Sequence, residues 1–293
     1  MSGFFGLFNY DKPGPGIPDD LPPKPKYQVF FEVLFRKFWK LCWLNILYTL
    51  VSLPILILLF LVLTNYIYPY LHNVLSNSNV KDIKTTETIL LYSINLLLLG
   101  SFMNFGIGPT TAGFTYIVRN FAREQHAWIA SDFFDTLKKN LKESIIVFFI
   151  DMFVLFLFFV NIRFYTIMSQ KYLMMFILKY VIIFLFIIYI MMHLFIYPML
   201  ITYNLKVRQI FKNAFICSIL KLPHTIGILL IMVITILIPF VIFISTGFLL
   251  AVFLYFILWV SIVGLIQNFF TNYVFNIYLN PENLNNQENA QQD

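Results

Sequence analysis

Long apolar segments alternate with short polar segments along most of the chain. An apolar segment of about 18 residues or more is long enough to cross the hydrocarbon core of a membrane as a helix. The alternation therefore predicts an all-α fold, a polytopic membrane helical bundle of about six transmembrane helices. These helices are predicted over about 41–63, 88–118, 144–162, 172–200, 225–244 and 247–272.

The second predicted span is interrupted by glycine and proline. Gly106, Gly108 and Pro109 break the apolar run, because proline has no N–H to donate and disfavours helix at the residue before it. Small residues that follow, among them Thr110 and Gly113, allow another backbone to come close. We predict a helix break and packing site here. The segment after Pro109 either completes the span or packs as a separate half-helix.

Amphipathic helices are predicted outside the spans. One covers 27–40, one begins with Ser131 as its N-cap in the loop 119–143, and one lies in the loop 201–224. The two loops share a Lys–Asn pair after apolar residues, which suggests a repeat of span, surface helix and span. Their apolar stripes form a candidate partner interface if they do not simply seal the membrane interface: Phe133, Phe134, Leu137, Ile210, Phe211 and Phe215.

Basic residues are distributed unequally between the two sides of the predicted membrane. The N-terminal region and the loops 119–143 and 201–224 hold fifteen of the twenty Lys and Arg residues. Because basic residues are retained on the cytoplasmic side, both termini are predicted to be cytoplasmic. We expect a Pro/Gly-rich arm over 1–28, one transmembrane domain over 29–273, and a polar disordered tail over 274–293.

Composition excludes an ordinary soluble domain. Only 12% of the residues are charged and 60% are hydrophobic, whereas soluble domains carry about 25% charged residues. The net charge of +6 does not indicate nucleic-acid binding, because the basic residues cluster at span ends. Cys42 and Cys217 lack CxxC spacing, so neither a disulfide nor a metal site is expected.

The motifs of common enzymes are missing from the sequence. There is no GxxxxGK[ST], no HExxH and no GxSxG, so no catalytic residue, metal or cofactor is expected. Asp151 is the one acidic residue deep in a predicted span, and His193 lies at a comparable level in the next span. A carboxylate there is costly unless it is paired or hydrated. This intramembrane polar pair is either a structural hydrogen bond or a functional site.

Four segments carry a resemblance to a known family: RKFWKLCWLNILYTLVSLPI, GPTTAGFTYIVRNFARE, DFFDTLKKNLKES and YPMLITYNLKVRQIFKNAFICSILKLPHT. Over about residues 30–225 the chain resembles the YesL-like family, domain of unknown function 624. The resemblance implies a bacterial multi-pass protein of the cytoplasmic membrane, of a kind often encoded beside carbohydrate ABC importers. It supplies no catalytic or binding residues. About fifty residues, roughly 56–105, separate the Leu-Pro of the first span from the Gly-Pro, unlike the short family pattern.

Two functions are consistent with these features. The resemblance implies an accessory or scaffold subunit of a carbohydrate ABC importer, with the lipid bilayer and importer permease subunits as partners. The alternative is a free-standing transporter or channel, with a homo-oligomer as its assembled form. It would use a sparse polar pathway through Asn45, Asn95, Asn104, Asp151 and His193. A membrane-bound sensor is less favoured, because the sequence provides no large domain outside the membrane.

The predicted topology can be tested by cysteine labelling. Single cysteines introduced at Asn77 and Asn286 in a cysteine-free background should be labelled from opposite sides of the membrane. A membrane-impermeant maleimide added to intact cells and to inverted vesicles distinguishes the two sides. Labelling of both positions in intact cells would contradict six spans with cytoplasmic termini.

Overall fold

The computed structural model describes residues 25–62, 65, 108–246 and 255–279, and within these ranges it contains helices and no strands. A π-helical turn over Tyr255–Trp259 precedes the last helix. The helices are α1 (Lys26–Arg36), α2 (Phe38–Val62), α3 (Pro109–Ala122), α4 (Ile129–Lys139), α5 (Leu141–Met168), α6 (Leu173–Thr202), α7 (Val207–Leu220), α8 (Leu222–Thr246) and α9 (Val260–Tyr278).

Four helices in the described part of the chain are long and apolar enough to cross a membrane. They are α2 over Phe38–Ile55, α5, α6, and the segment Ile257–Tyr278 that includes α9. The helices α7 and α8 meet at a bend of 97°, and together they are apolar enough to count as a fifth, bent span. The all-α fold class is confirmed. Residues 88–107 of the second predicted span lie outside the described ranges.

Several predicted boundaries are wrong. Helix α1 begins at Lys26, inside the predicted arm, and the helix predicted over 27–40 is divided at Lys37. Helix α4 begins at Ile129, so Ser131 is not its N-cap; the Asp132 carboxylate accepts a hydrogen bond from the Trp128 N–H instead. Helix α9 continues to Tyr278, because Val274 and Phe275 are buried in the bundle and extend its apolar face into the predicted tail.

The segment after the Gly–Pro break is a separate helix, α3. Gly108 precedes it with φ of 50°, which is readily adopted only by glycine, and Pro109 occupies the first helical position, where no N–H is needed. Fourteen residues at about 1.5 Å each make a helix of about 21 Å, shorter than the roughly 30 Å hydrocarbon core. Helix α3 therefore cannot cross the membrane alone.

Helix α3 is the centre of the described bundle. Eleven of its fourteen residues are buried, and it contacts α1, α2, α4, α5, α6 and α9. A helix that is covered on every side has to accommodate its neighbours with small residues. At Gly113, a Cβ atom would lie 2.7 Å from the Phe133 carbonyl oxygen of α4; at Gly264 of α9, it would lie 2.6 Å from the Phe114 ring.

The same hinge conformation occurs three times. A short helix ends at one hinge residue and a long apolar helix begins directly after it: Lys37 joins α1 to α2, Asn140 joins α4 to α5, and Lys221 joins α7 to α8. All three hinge residues have similar backbone angles, with φ between −118° and −103° and ψ between 10° and 40°. Each hinge carbonyl accepts a hydrogen bond from the N–H four residues later, so the next helix starts without a loop.

The three short helices lie at one end of the bundle. The Lys26 ammonium lies 3.6 Å from the centre of the Tyr273 ring, and Lys221 lies 5.8 Å from the same ring. Arg36 forms an ion pair of 2.6 Å with Glu124, just before α4. We call the end at which α1, α4, α7 and the C-terminal turn of α9 meet the basic end. Both ends of the described chain therefore lie on the same side of the bundle.

Replacing Gly113 by alanine should destabilise the fold. The new Cβ atom would clash with the Phe133 backbone, and overpacking of this kind costs about 1–3 kcal/mol. Gly227→Ala is the matched control, because nothing lies within 4 Å of its Cβ position and alanine favours helix. Thermal unfolding in detergent should show a lower midpoint for Gly113→Ala only. Equal midpoints would contradict the close packing of α3 on α4.

Candidate functional site

An acidic side chain is buried in the middle of α5. Asp151 lies ten residues after the start of this helix, about 15 Å along its axis, and is 1% exposed. At that depth a carboxyl group needs partners, since hydrocarbon offers it no hydrogen bond. The polar groups around it therefore decide what it can do.

The partners of Asp151 come from α6. The Tyr189 hydroxyl donates a hydrogen bond of 2.5 Å to Oδ1, and His193 Nε2 lies 3.2 Å from Oδ2. Tyr189 and His193 are four residues apart, so one face of α6 presents both side chains to the carboxyl group. The sequence-predicted pair of Asp151 and His193 is brought together by the structure. Tyr189 was missed, although its spacing from His193 could have indicated it.

The side chains of this cluster can both donate and accept hydrogen bonds. An ionised carboxylate accepts hydrogen bonds only, whereas imidazole can donate or accept at either nitrogen. Asp151 and His193 can therefore share one proton as a neutral acid with a neutral imidazole, or as an ion pair. The His193 ring also contacts the Tyr197 ring at 5.6 Å between centroids. The Tyr197 hydroxyl is buried close to the Gly108 backbone.

A second group of polar side chains connects α2 to the start of α3 by hydrogen bonds. The Tyr48 and Thr111 hydroxyls lie 3.3 Å apart, and the Ser52 hydroxyl donates to Thr110 at 3.1 Å. These contacts give the threonines of the predicted packing site a role in pairing polar groups inside the bundle. A further contact, from the Ser261 N–H to the Asn45 side-chain oxygen at 3.0 Å, joins α9 to α2.

The Gly–Pro break is a region of close approach, as its residue types suggested. A Cβ atom at Gly108 would lie 3.0 Å from the Ser144 carbonyl oxygen and 3.1 Å from Phe148 Cβ. Gly108 therefore fits against α5 as Gly113 fits against α4. Gly106 of the same predicted site lies outside the described residues, as do Asn95 and Asn104 of the predicted polar pathway.

The candidate partner interface is only partly on the surface. Phe133 is 0% exposed and Ile210 is 1% exposed, because both side chains pack inside the chain itself. They cannot contact a partner, and this part of the prediction needs correction. Leu137 and Phe211 are half-buried against the same cores. Phe134 and Phe215 remain exposed, at 39% and 43%.

Acidic and thiol side chains are scattered in the described part of the chain. No three His, Cys, Asp or Glu side chains there are grouped closely enough to hold a metal ion. Cys42 and Cys217 are both buried and unpaired.

These features define a helical membrane protein with a buried polar cluster between two of its apolar helices. Residues 41–162 match the family model described as a protein of unknown function, DUF624. The resemblance to that domain is therefore confirmed over this stretch, which runs from α2 through α3 and α4 into α5. No curated protein and no solved structure matches the chain.

Removing the carboxyl group at Asp151 should destabilise the bundle more than neutralising it. Asp151→Leu would leave Tyr189 and His193 without their shared acceptor, at a cost of about 1–3 kcal/mol. Asp151→Asn keeps an oxygen that accepts from Tyr189, and its new N–H can donate to a nitrogen of neutral His193. Its loss of stability should therefore be smaller. Thermal unfolding of both variants in detergent gives the comparison. An unchanged midpoint for Asp151→Leu would show that the cluster contributes nothing to stability.

Proposed function

We propose that the protein is an accessory or scaffold subunit of a bacterial carbohydrate ABC importer. In this proposal it lies in the cytoplasmic membrane with both termini in the cytoplasm, and its basic end faces the cytoplasm. The uneven distribution of Lys and Arg supports the orientation. The resemblance of its segments to the YesL-like family supports the link to sugar uptake.

The observation that carries the proposal is a set of two exposed phenylalanines on short helices at the basic end, which we call the exposed row. Phe134 projects from α4, and Phe215 projects from α7. Both helices contribute residues to one cavity, through Thr136 of α4 and Ile210 of α7, so both lie at this end of the bundle. Exposed aromatic side chains are typical of a surface that docks another protein.

The buried residues of the same helices hold this surface in place. Phe133 packs against Gly113 of α3, and Ile210 packs in the core with α6. A partner would therefore meet two helices that are already ordered, and it would not have to supply the free energy of ordering them. Lys138 and Lys142, beside the row, would mainly orient the partner and speed its association.

A second candidate function rests on the intramembrane cluster. A free-standing, homo-oligomeric transporter or channel would need a polar site near the middle of the membrane. The buried group of Asp151, Tyr189 and His193 could supply one. Purification from native membranes separates the candidates. An importer permease in stoichiometric amounts favours the accessory subunit, and an assembly of this chain alone favours the transporter.

Truncating the exposed row should remove the partner without unfolding the protein. Burial of a large apolar side chain contributes about 1.5–3 kcal/mol, so losing two should weaken a complex by roughly a hundredfold or more. We expect Phe134→Ala combined with Phe215→Ala to abolish co-purification of the importer permease. The isolated double variant should remain monodisperse in size-exclusion chromatography, because both side chains are exposed.

The matched control changes two phenylalanines in the membrane helices that are more exposed than the test pair. Phe153 of α5 and Phe184 of α6 are 63% and 61% exposed. Phe153→Ala with Phe184→Ala should leave the permease bound. The proposal fails if the test variant retains the permease, if it aggregates, or if both double variants lose the permease equally. In the last two cases, the row serves as a contact with lipid.

A further inference from the structure

A buried arginine at the basic end has no acidic partner. Arg119 lies on α3 and is 8% exposed, and Arg123 follows one turn later at the surface. A spacing of four residues places both side chains on the same face of the helix. Two positive charges therefore lie close together, one buried and one exposed.

The hydrogen bonds of both arginines go to neutral groups. Arg119 donates to the Ile201 carbonyl at 3.2 Å and to the Thr202 hydroxyl at 2.9 Å, both at the end of α6. Arg123 Nε donates to the Asn272 side-chain oxygen of α9 at 3.1 Å. Among the residues that the structure describes, no carboxylate pairs with either guanidinium. The site therefore carries a net positive charge.

Two buried donors at this site are unused. Arg119 Nε and the Asn272 side-chain nitrogen have no acceptor within the described part of the chain. The orientation of the Asn272 amide is fixed, because its oxygen accepts from Arg123. Both unpaired atoms are N–H donors, and buried donors are rarely left unpaired in proteins. A ligand that only accepts hydrogen bonds would pair them.

The electrostatics indicate the same kind of ligand. Burial lowers the pKa of Arg119 to about 10, and the charge of Arg123 adds to this effect. Arg119 remains charged at neutral pH, since this pKa is still well above 7. A buried charge without a counter-ion is unfavourable, so a bound anion would offset the cost of burying it.

A cavity lies directly beside the arginine. It has a volume of about 340 Å³, within the range of about 300–1,000 Å³ that is usual for small-molecule sites. Three residues that contact Arg119, namely Tyr116, Ile201 and Thr202, also line this cavity. Its charged lining residues, Lys139 and Glu143, balance each other, and Arg119 lies behind the part of the wall that Tyr116, Ile201 and Thr202 form.

We infer that Arg119 and Arg123, together with Asn272, bind a phosphate group at the basic end. The guanidinium fork matches the oxygens of a phosphate, which only accepts hydrogen bonds at its anionic oxygens. The group can belong to an anionic phospholipid, because the basic end is predicted to lie at the cytoplasmic membrane interface. It can also belong to a soluble phosphate. This inference does not depend on the proposed importer partner.

Thermal unfolding of the purified full-length protein in an uncharged detergent tests the site. One arm adds dihexanoyl phosphatidylglycerol, and the other adds inorganic phosphate, each at constant ionic strength. A rise in the midpoint with the lipid alone identifies a headgroup site, and a rise with inorganic phosphate identifies a soluble ligand. A ligand that binds only the folded state must stabilise it. No rise in either arm would overturn the inference.

Two variants connect the binding to these residues. Arg119→Gln should lower the affinity for whichever ligand raised the midpoint by about tenfold or more, since it removes a charged donor. Arg36→Gln is the control, because it removes the same charge from an exposed ion pair at the same end. Asn272→Asp should also abolish binding, because it gives Arg123 the carboxylate that the site lacks. Gln170 is exposed and far from the basic end, so Gln170→Glu controls for the negative charge that Asn272→Asp introduces.

Asn272→Asp keeps the test decisive if Arg119→Gln fails to fold. The aspartate has the shape of asparagine and removes an unpaired donor, so this variant should fold at least as well as the parent protein. If ligand binding survives in Asn272→Asp, or falls equally in both controls, the phosphate is held by general surface charge and the inference is wrong.

Discussion

The close contact of α3 with its neighbours is the constraint on which the described structure depends. Helix α3 is too short to span the membrane and is surrounded by six other helices. Its place in the bundle depends on close contacts at three glycines: Gly108 against α5, Gly113 against α4, and Gly264 of α9 against the Phe114 ring. Without a strong hydrophobic force between helices inside lipid, such contacts are a main source of stability.

Hydrogen bonds between buried polar groups also connect the helices of the bundle. Asp151 shares its carboxyl group with Tyr189 and His193, and Asn45 accepts from the backbone of Ser261. Each pair joins two different helices, so the hydrogen bonds also fix which helices are neighbours. Arg119 departs from this pattern, since it is a buried charge with neutral partners only. Because the charge of Arg119 has no carboxylate partner among the described residues, a ligand is expected beside this arginine and not beside the paired groups.

The long apolar helices could be predicted from sequence because length and hydropathy alone define a membrane span. The burial of α3 on every side could not be predicted, since a segment of fourteen residues with three threonines and an arginine does not look like the centre of a bundle. An apolar stripe also has the same appearance whether it meets its own chain or a partner. Phe133 and Phe134 were therefore assigned to one surface, although one is buried and the other exposed. Arg119 was interpreted as a topology signal, because basic residues at span ends usually have that role.

The three hinges join short helices directly to long apolar helices, without loops. A chain that turns from the interface into lipid must keep its backbone N–H and C=O groups paired, because lipid offers no substitute for water. At Lys37, Asn140 and Lys221 the hinge carbonyl already starts the next helix, so the turn leaves that oxygen paired. At the last two hinges, the hydroxyls of Ser144 and Thr225 donate to the same carbonyl. The Lys–Asn pair that suggested a repeat of the two loops does not mark these hinges, because it includes the hinge residue Asn140 in the first loop but lies inside α7, at Lys212 and Asn213, in the second. The common feature is backbone pairing at the hinge, which needs no similarity between the helices around it.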